Sequence, residues 1–214
     1  DAAAAKTVQE VVPAPAPESE PAAQASGNHA ALVDALAAVQ QDPVAPQAGA
    51  EPAHAQVYFI DRQVADADRL AQSLPAGAEL HFIERDVDGV QFIAQTLQGR
   101  TNIDAVHILS HGEVGTVALG NARLTGSSML ETYQDTLRQI GQSLSVDADV
   151  LLYGCDFGAG PAGQEAVRVL AQLTGADVAE SDDDTGSASL GGDWSLEVRQ
   201  GDIETAAVQA PQWE

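Results

Sequence analysis

The chain has one cysteine, nine lysines and arginines together, and no apolar run approaching the length of a membrane helix. A single thiol cannot close an intramolecular disulfide, so Cys155 serves packing or chemistry. Nine basic residues against 32 acidic ones leave a formal charge of −23, which repels phosphate backbones and anionic lipid surfaces. This argues against nucleic acid as a partner, and the missing apolar run argues against membrane insertion. Aromatic residues are also scarce and unevenly placed. The first 55 residues contain none, whereas all four Phe and all three Tyr lie between Tyr58 and Phe157. No Gly-x-Gly-x-x-G or Walker loop follows the first hydrophobic strand, and no Gly-x-Ser-x-Gly elbow occurs, which disfavours nucleotide binding and serine hydrolysis.

Residues 1–55 are rich in Ala, Pro, Gln and Glu and read as an acidic linker, with alternating prolines around Pro13, Pro15 and Pro17 favouring an extended chain. Within it, Ala31, Leu32, Ala35, Leu36 and Val39 recur at helical spacing, predicting a short helix over 29–40. The chain opens with Asp1 rather than Met, which reads as a piece or processed product of a larger precursor.

From Gln56 the pattern changes to strand-length apolar runs alternating with helical segments, the signature of an α/β domain with a largely parallel central sheet between helices. Strands are expected at 57–60, 79–83, 103–110, 149–153, 176–179 and 194–198, with a hairpin over 116–124. Helices are expected at 65–73, 90–98, 127–142 and 161–173. The folded domain spans 56–204, and 205–214 reads as a second linker.

Chemistry concentrates where two of these strands end. One runs into Ser110-His111-Gly112 and another into Gly154-Cys155-Asp156. Ligands of a parallel α/β sheet bind outside the carboxyl ends of its strands. If the two strands are neighbours, imidazole and thiol meet there. A thiol needs a base to become the nucleophilic thiolate, and histidine titrates in the right range to supply one. His111 and Cys155 are therefore the candidate catalytic pair, and the backbone amides of Gly112 and Cys155 are candidates for an oxyanion hole. Asp156 is read either as a carboxylate for a basic substrate side chain or as a cap for the next turn; Asp61, at the end of the first strand, poses the same choice.

The other readings are blander. His107 is expected to be a satisfied buried histidine, and zinc on His107, His111 and Cys155 is disfavoured because a His-x3-His pair suits a helix face. Trp194 is expected in the core, with the wall of a peptide groove as a second role. No resident cofactor is expected. Calcium is the cation the acidic surface would suit, but Asp182, Asp183 and Asp184 lack EF-hand spacing and read as a solvated turn.

The Ser110-His111-Gly112 turn followed by Tyr153-Gly154-Cys155 resembles the caspase-like clan of cysteine peptidases, including the His-before-Cys order. More narrowly, the segment over 57–204 resembles DUF4347, a domain found in very large bacterial surface and adhesin-like proteins. The residues that carry this are Val57-Tyr58-Phe59-Ile60-Asp61, His107-Ile108-Leu109-Ser110-His111-Gly112, Leu151-Leu152-Tyr153-Gly154-Cys155 and Leu190-Gly191-Gly192-Asp193-Trp194. The resemblance implies a three-layer caspase-like sandwich, a secreted or cell-surface setting within a larger precursor, and a polypeptide substrate such as that precursor itself. It also leaves open a non-catalytic export, anchoring or interaction module built on the same fold.

Overall fold

In the computed structural model, which describes residues 55–210, nine strands and five helices alternate along the chain. The helix expected over 29–40 lies outside the described residues. Strand β1 (Ala55–Asp61) is followed by α1 (Ala67–Gln72), β2 (Glu79–Ile83), α2 (Gly89–Leu97) and β3 (Ile103–Leu109). Three short strands come next: β4 (Gly112–Glu113), β5 (Thr116–Leu119) and β6 (Ala122–Thr125). Then follow α3 (Gly126–Glu131), α4 (Gln134–Gly141), β7 (Leu144–Tyr153), α5 (Gly160–Thr174), β8 (Asp177–Glu180) and β9 (Val198–Gln200).

The main sheet has the order β2-β1-β3-β7-β8-β9, parallel except for the antiparallel edge strand β9. Its central strands alternate between two apolar layers. Val57, Phe59, Val106, Val150 and Leu152 face one core with α2, α3, α4 and α5, while Tyr58, Ile60, Ala105, Leu151 and Tyr153 face the other with α1. The result is the expected α/β three-layer domain. Strands β4, β5 and β6 form a separate small sheet whose Val117, Leu119 and Leu124 join the first core.

Four sequence expectations change. The helix expected over 127–142 is two helices, because Tyr133 turns into the core and its hydroxyl donates to Asp88 Oδ2 at 3.0 Å. Asp88 is itself the N-cap of α2, accepting from the Val90 and Gln91 amides. Strand β7 starts at Leu144 rather than near 149, since Leu144 pairs with Ile103 ahead of a register shift. Residues 194–197 are not a strand; the antiparallel edge is Val198–Gln200. Lastly, the linker expected from 205 is packed as far as residue 210. Val208 and Ala210 are buried in the second core, and the Val208 amide donates to the Tyr153 hydroxyl at 2.8 Å. Among the described residues α1 is the one α-helix on that face, and the C-terminal segment adds to its cover.

Candidate functional site

The chain passes from β1 outward to β2 and returns on the other side of β1 to β3, so strand order reverses between β1 and β3. At such a reversal the connecting loops diverge and leave a crevice at the carboxyl ends. Strands β3 and β7 are parallel neighbours with Leu109 opposite Tyr153, and the Ser110 amide donates to the Tyr153 carbonyl at 3.0 Å. His111 and Cys155 therefore each stand two residues beyond the same register pair. The backbones touch here as well: a Cβ on Gly112 would lie 2.6 Å from the Cys155 carbonyl oxygen and 2.6 Å from the Gly154 carbonyl carbon. Glycine at 112 is thus required by the close approach of the two turns.

The amide of Gly112 is left out of the ladder that begins there. Ala118 N–H donates to the His111 carbonyl at 2.9 Å, which makes Gly112 and Val117 a non-hydrogen-bonded pair of the antiparallel ladder. The Gly112 amide is consequently not spent on β5. No acceptor is recorded for the Cys155 amide among the described residues.

The His111 ring is held from the β1 side. Its Nε2 lies 3.0 Å from the Gln63 carbonyl oxygen, which can only accept, so Nε2 carries the proton and Nδ1 keeps its lone pair in the neutral ring. Gln63 is fixed in turn by Asp61. Asp61 is 0% exposed, and its carboxylate accepts from the Gln63 amide at 2.8 Å and the Gly120 amide at 2.6 Å. The Gln63 side chain donates to the Gly120 carbonyl at 2.9 Å. Asp61 is therefore out of reach of a substrate side chain, which leaves the second of its two sequence readings, the turn cap; it ties the loop that orients His111.

Cys155 is half-buried, and its thiol lies 3.8 Å from the Thr185 carbonyl oxygen. Two cavities meet at this residue. One of about 80 Å³ is shared by His111, Cys155, Tyr153, Thr185 and Trp194. The other, about 400 Å³, runs from Cys155 past Asp66, Asp184 and Leu190. Imidazole and thiol share the first cavity, each hydrogen-bonded to a carbonyl rather than to the other. Trp194 is half-buried against the second core, its ring 6.0 Å from that of Tyr153, and it lines the smaller cavity.

Asp156 is not in either cavity and caps no helix. It holds a left-handed conformation (φ 57°) with its amide donating to the Asp183 carbonyl, and the N-cap of α5 is Ala159, with Pro161 in the first turn. The acidic side chains beside Cys155 are Asp66 and Asp184. Sequence reasoning missed these, along with Gln63 and Thr185. The latter two act through backbone carbonyls, which leave no mark on residue type.

His107 is fully buried between Tyr58, stacked at 4.2 Å, and Tyr153, whose hydroxyl lies 3.3 Å from Nδ1. Burial holds its pKa down to about 4, so it is neutral at physiological pH. Its Nε2 has no hydrogen-bond partner, so the ring is less fully satisfied than expected. Ser110 is buried and donates to the Ala118 carbonyl, leaving its hydroxyl committed to structure. Asp182, Asp183 and Asp184 are exposed.

A parallel sheet that sets a histidine turn and a cysteine turn side by side at its carboxyl edge has the arrangement of a caspase-like α/β domain. The family model for a domain of unknown function, DUF4347, matches residues 57–214, and the chain belongs to that family. Among solved structures, a chain described as "structure of pro-sf-caspase-1" is similar at 16% identity, with a TM-score of 0.31. That match covers 53% of this chain and 56% of the other. No curated protein matches the chain.

Proposed function

We propose that the domain is a cysteine endopeptidase of a large secreted or surface-bound bacterial protein, acting on its own precursor through His111 and Cys155. The supporting observation is the His111 ring, fixed by the Gln63 carbonyl with Nδ1 left free, on the same small cavity as the Cys155 thiol. The nucleophile, its base and the group that orients the base are the three parts such chemistry requires.

As substrate enters, the thiol proton passes to His111 and the thiolate attacks the scissile carbonyl carbon. The oxyanion that forms is held by the Gly112 and Cys155 amides, which belong to two turns in backbone contact. When the intermediate collapses, the C–N bond breaks, His111 gives its proton to the departing amine, and a thioester remains on Cys155. Water attacking that thioester, with its proton taken by His111, regenerates the thiol. A cavity lined by Asp66 and Asp184 beside Cys155 suits a basic side chain on the residue before the cleaved bond.

A second reading keeps the fold as a non-catalytic export, anchoring or interaction module. The observation favouring it is that thiol and imidazole each bond a carbonyl and not one another. Intact-mass analysis after treatment with a peptide electrophile ending in arginine separates the two. The peptidase reading expects one adduct on Cys155, formed far more slowly in His111→Ala, together with fragments absent from Cys155→Ala. Labelling indifferent to His111→Ala, with identical fragments from both proteins, supports the module.

A further inference from the structure

At the opposite end of the sheet a second set of charged groups has no role in this chemistry. Asp149 is where β7 resumes pairing after its register shift, opposite Ala105 on one side and Asp177 of β8 on the other. Cys155 lies six positions further along the chain, beyond the other end of β7, up to roughly 20 Å away. Two carboxylates directly across neighbouring strands repel one another, and a third, Glu204, arrives from the C-terminal segment. One oxygen from each of Asp149, Asp177 and Glu204 lies within 4.8 Å of the others.

Asp149 sharpens the problem. It is 0% exposed; Oδ2 accepts from the Glu204 amide at 3.2 Å and the Thr205 amide at 2.8 Å, but Oδ1 is buried with no partner at all. A buried carboxylate oxygen without a donor or counter-charge is strongly unfavourable. Among the described residues no Lys, Arg or His forms an ion pair with any of the three acids. Asp149 and Glu204 also border a cavity of about 430 Å³ whose other charged walls, Asp104 and Asp147, are acidic too. The geometry therefore calls for a positive charge that the described residues do not provide.

We infer that Asp149, Asp177 and Glu204 form a calcium site that fastens the C-terminal segment to the amino edge of the sheet. Oxygens bound to one calcium at about 2.3–2.6 Å lie no more than roughly 5 Å apart, which matches the spacing of the three. Calcium takes six to eight oxygens in flexible geometry, and the adjoining cavity leaves room for water to complete the shell. The turn that brings Glu204 back is tight: Gly201 has φ 100°, and a Cβ there would lie 1.8 Å from Asp177 Oδ1. Asp177 Oδ2 accepts from the Asp202 amide at 3.2 Å. The ion would secure the segment whose Val208 and Ala210 close the second core.

Calorimetric titration of the whole protein with CaCl2, paired with thermal melts in CaCl2, EDTA and NaCl of matched ionic strength, tests this. The expected result is a saturable site of about one calcium per chain and a melting rise of roughly 5–10 °C at calcium a hundredfold above its Kd. That rise should vanish in Asp149→Asn and shrink sharply in Glu204→Gln. Asp193→Asn, in a separate exposed acidic group with Asp183 and Glu197, should leave it intact. If Asp149→Asn does not fold, the exposed Glu204 decides the matter. A rise equalled by NaCl, absence of saturable binding, or a calcium effect that survives Glu204→Gln but is lost in Asp193→Asn overturns the site.

Discussion

Glu180 ends β8 fully buried, with neither carboxyl oxygen hydrogen-bonded, and a Cβ on Gly158 would stand 2.4 Å from its Oε1. It therefore lies directly beneath the turn that carries Cys155. Burial, with the nearby Asp182 charge adding to it, pushes its pKa from 4.5 up to about 9, so the folded protein holds it neutral at pH 7. The unfolded chain releases that proton near 4.5, hence the folded state binds more protons between those values. The stabilisation is complete below the unfolded pKa and is lost as pH rises through the folded one. Each unit within that window is worth about 1.4 kcal/mol, giving a ceiling of roughly 3 kcal/mol between about pH 6 and pH 8. Glu180→Gln keeps the shape and removes the titration. Urea denaturation of both proteins across this range measures the difference, and subtracting one curve from the other cancels every shared titration, including general repulsion from the −23 charge. The variant should gain on the parent steadily as pH rises. Parallel stability curves would refute the buried neutral carboxyl.

Three further outcomes are expected. Asp61→Asn places an NH2 group against one of two amide donors, so it should destabilise the fold by about 2 kcal/mol and slow electrophile labelling of Cys155 by loosening Gln63; unchanged labelling would remove Asp61 from the positioning of His111. Gly112→Ala forces a methyl against the 154–155 backbone and should cost about 1–3 kcal/mol in denaturation while suppressing Cys155 labelling; native-like values for both would mean the turns are not in contact. His107 acts on the acid side: its pKa is held near 4 against 6.5 when unfolded, so its stabilisation is present above 6.5 and is lost as pH falls towards 4. His107→Phe should flatten that acid limb in denaturant melts, and an unaltered limb would contradict the buried neutral ring.

The alternation of short apolar runs with helical segments was enough to reveal the strands of the parallel sheet and to put His111 and Cys155 at strand ends, because side-chain period and turn residues are local properties of the chain. At position 112 the sequence suggested an amide donor, and only the fold shows that glycine is required there, by a backbone contact between two turns. Tertiary structure decided everything that depends on which strands are neighbours. Gln63 reaches His111 because β1 lies beside β3, and Thr185 reaches Cys155 because β8 lies beside β7. Asp61 could not be recognised as a buried tether while Gly120, 59 residues away, had no known position. The acidic group at the far edge gathers Asp149, Asp177 and Glu204 from three separate segments, each unremarkable in a chain with 32 acidic residues. The C-terminal segment read as linker because it has few large apolar residues, yet among the described residues one sheet face carries a single α-helix, and the apolar surface beside it recruits Val208 and Ala210. Periodicity specifies an element and its buried face; sheet order specifies what that face meets, and here that order decides which carbonyls, amides and carboxylates surround the two residues that sequence singled out.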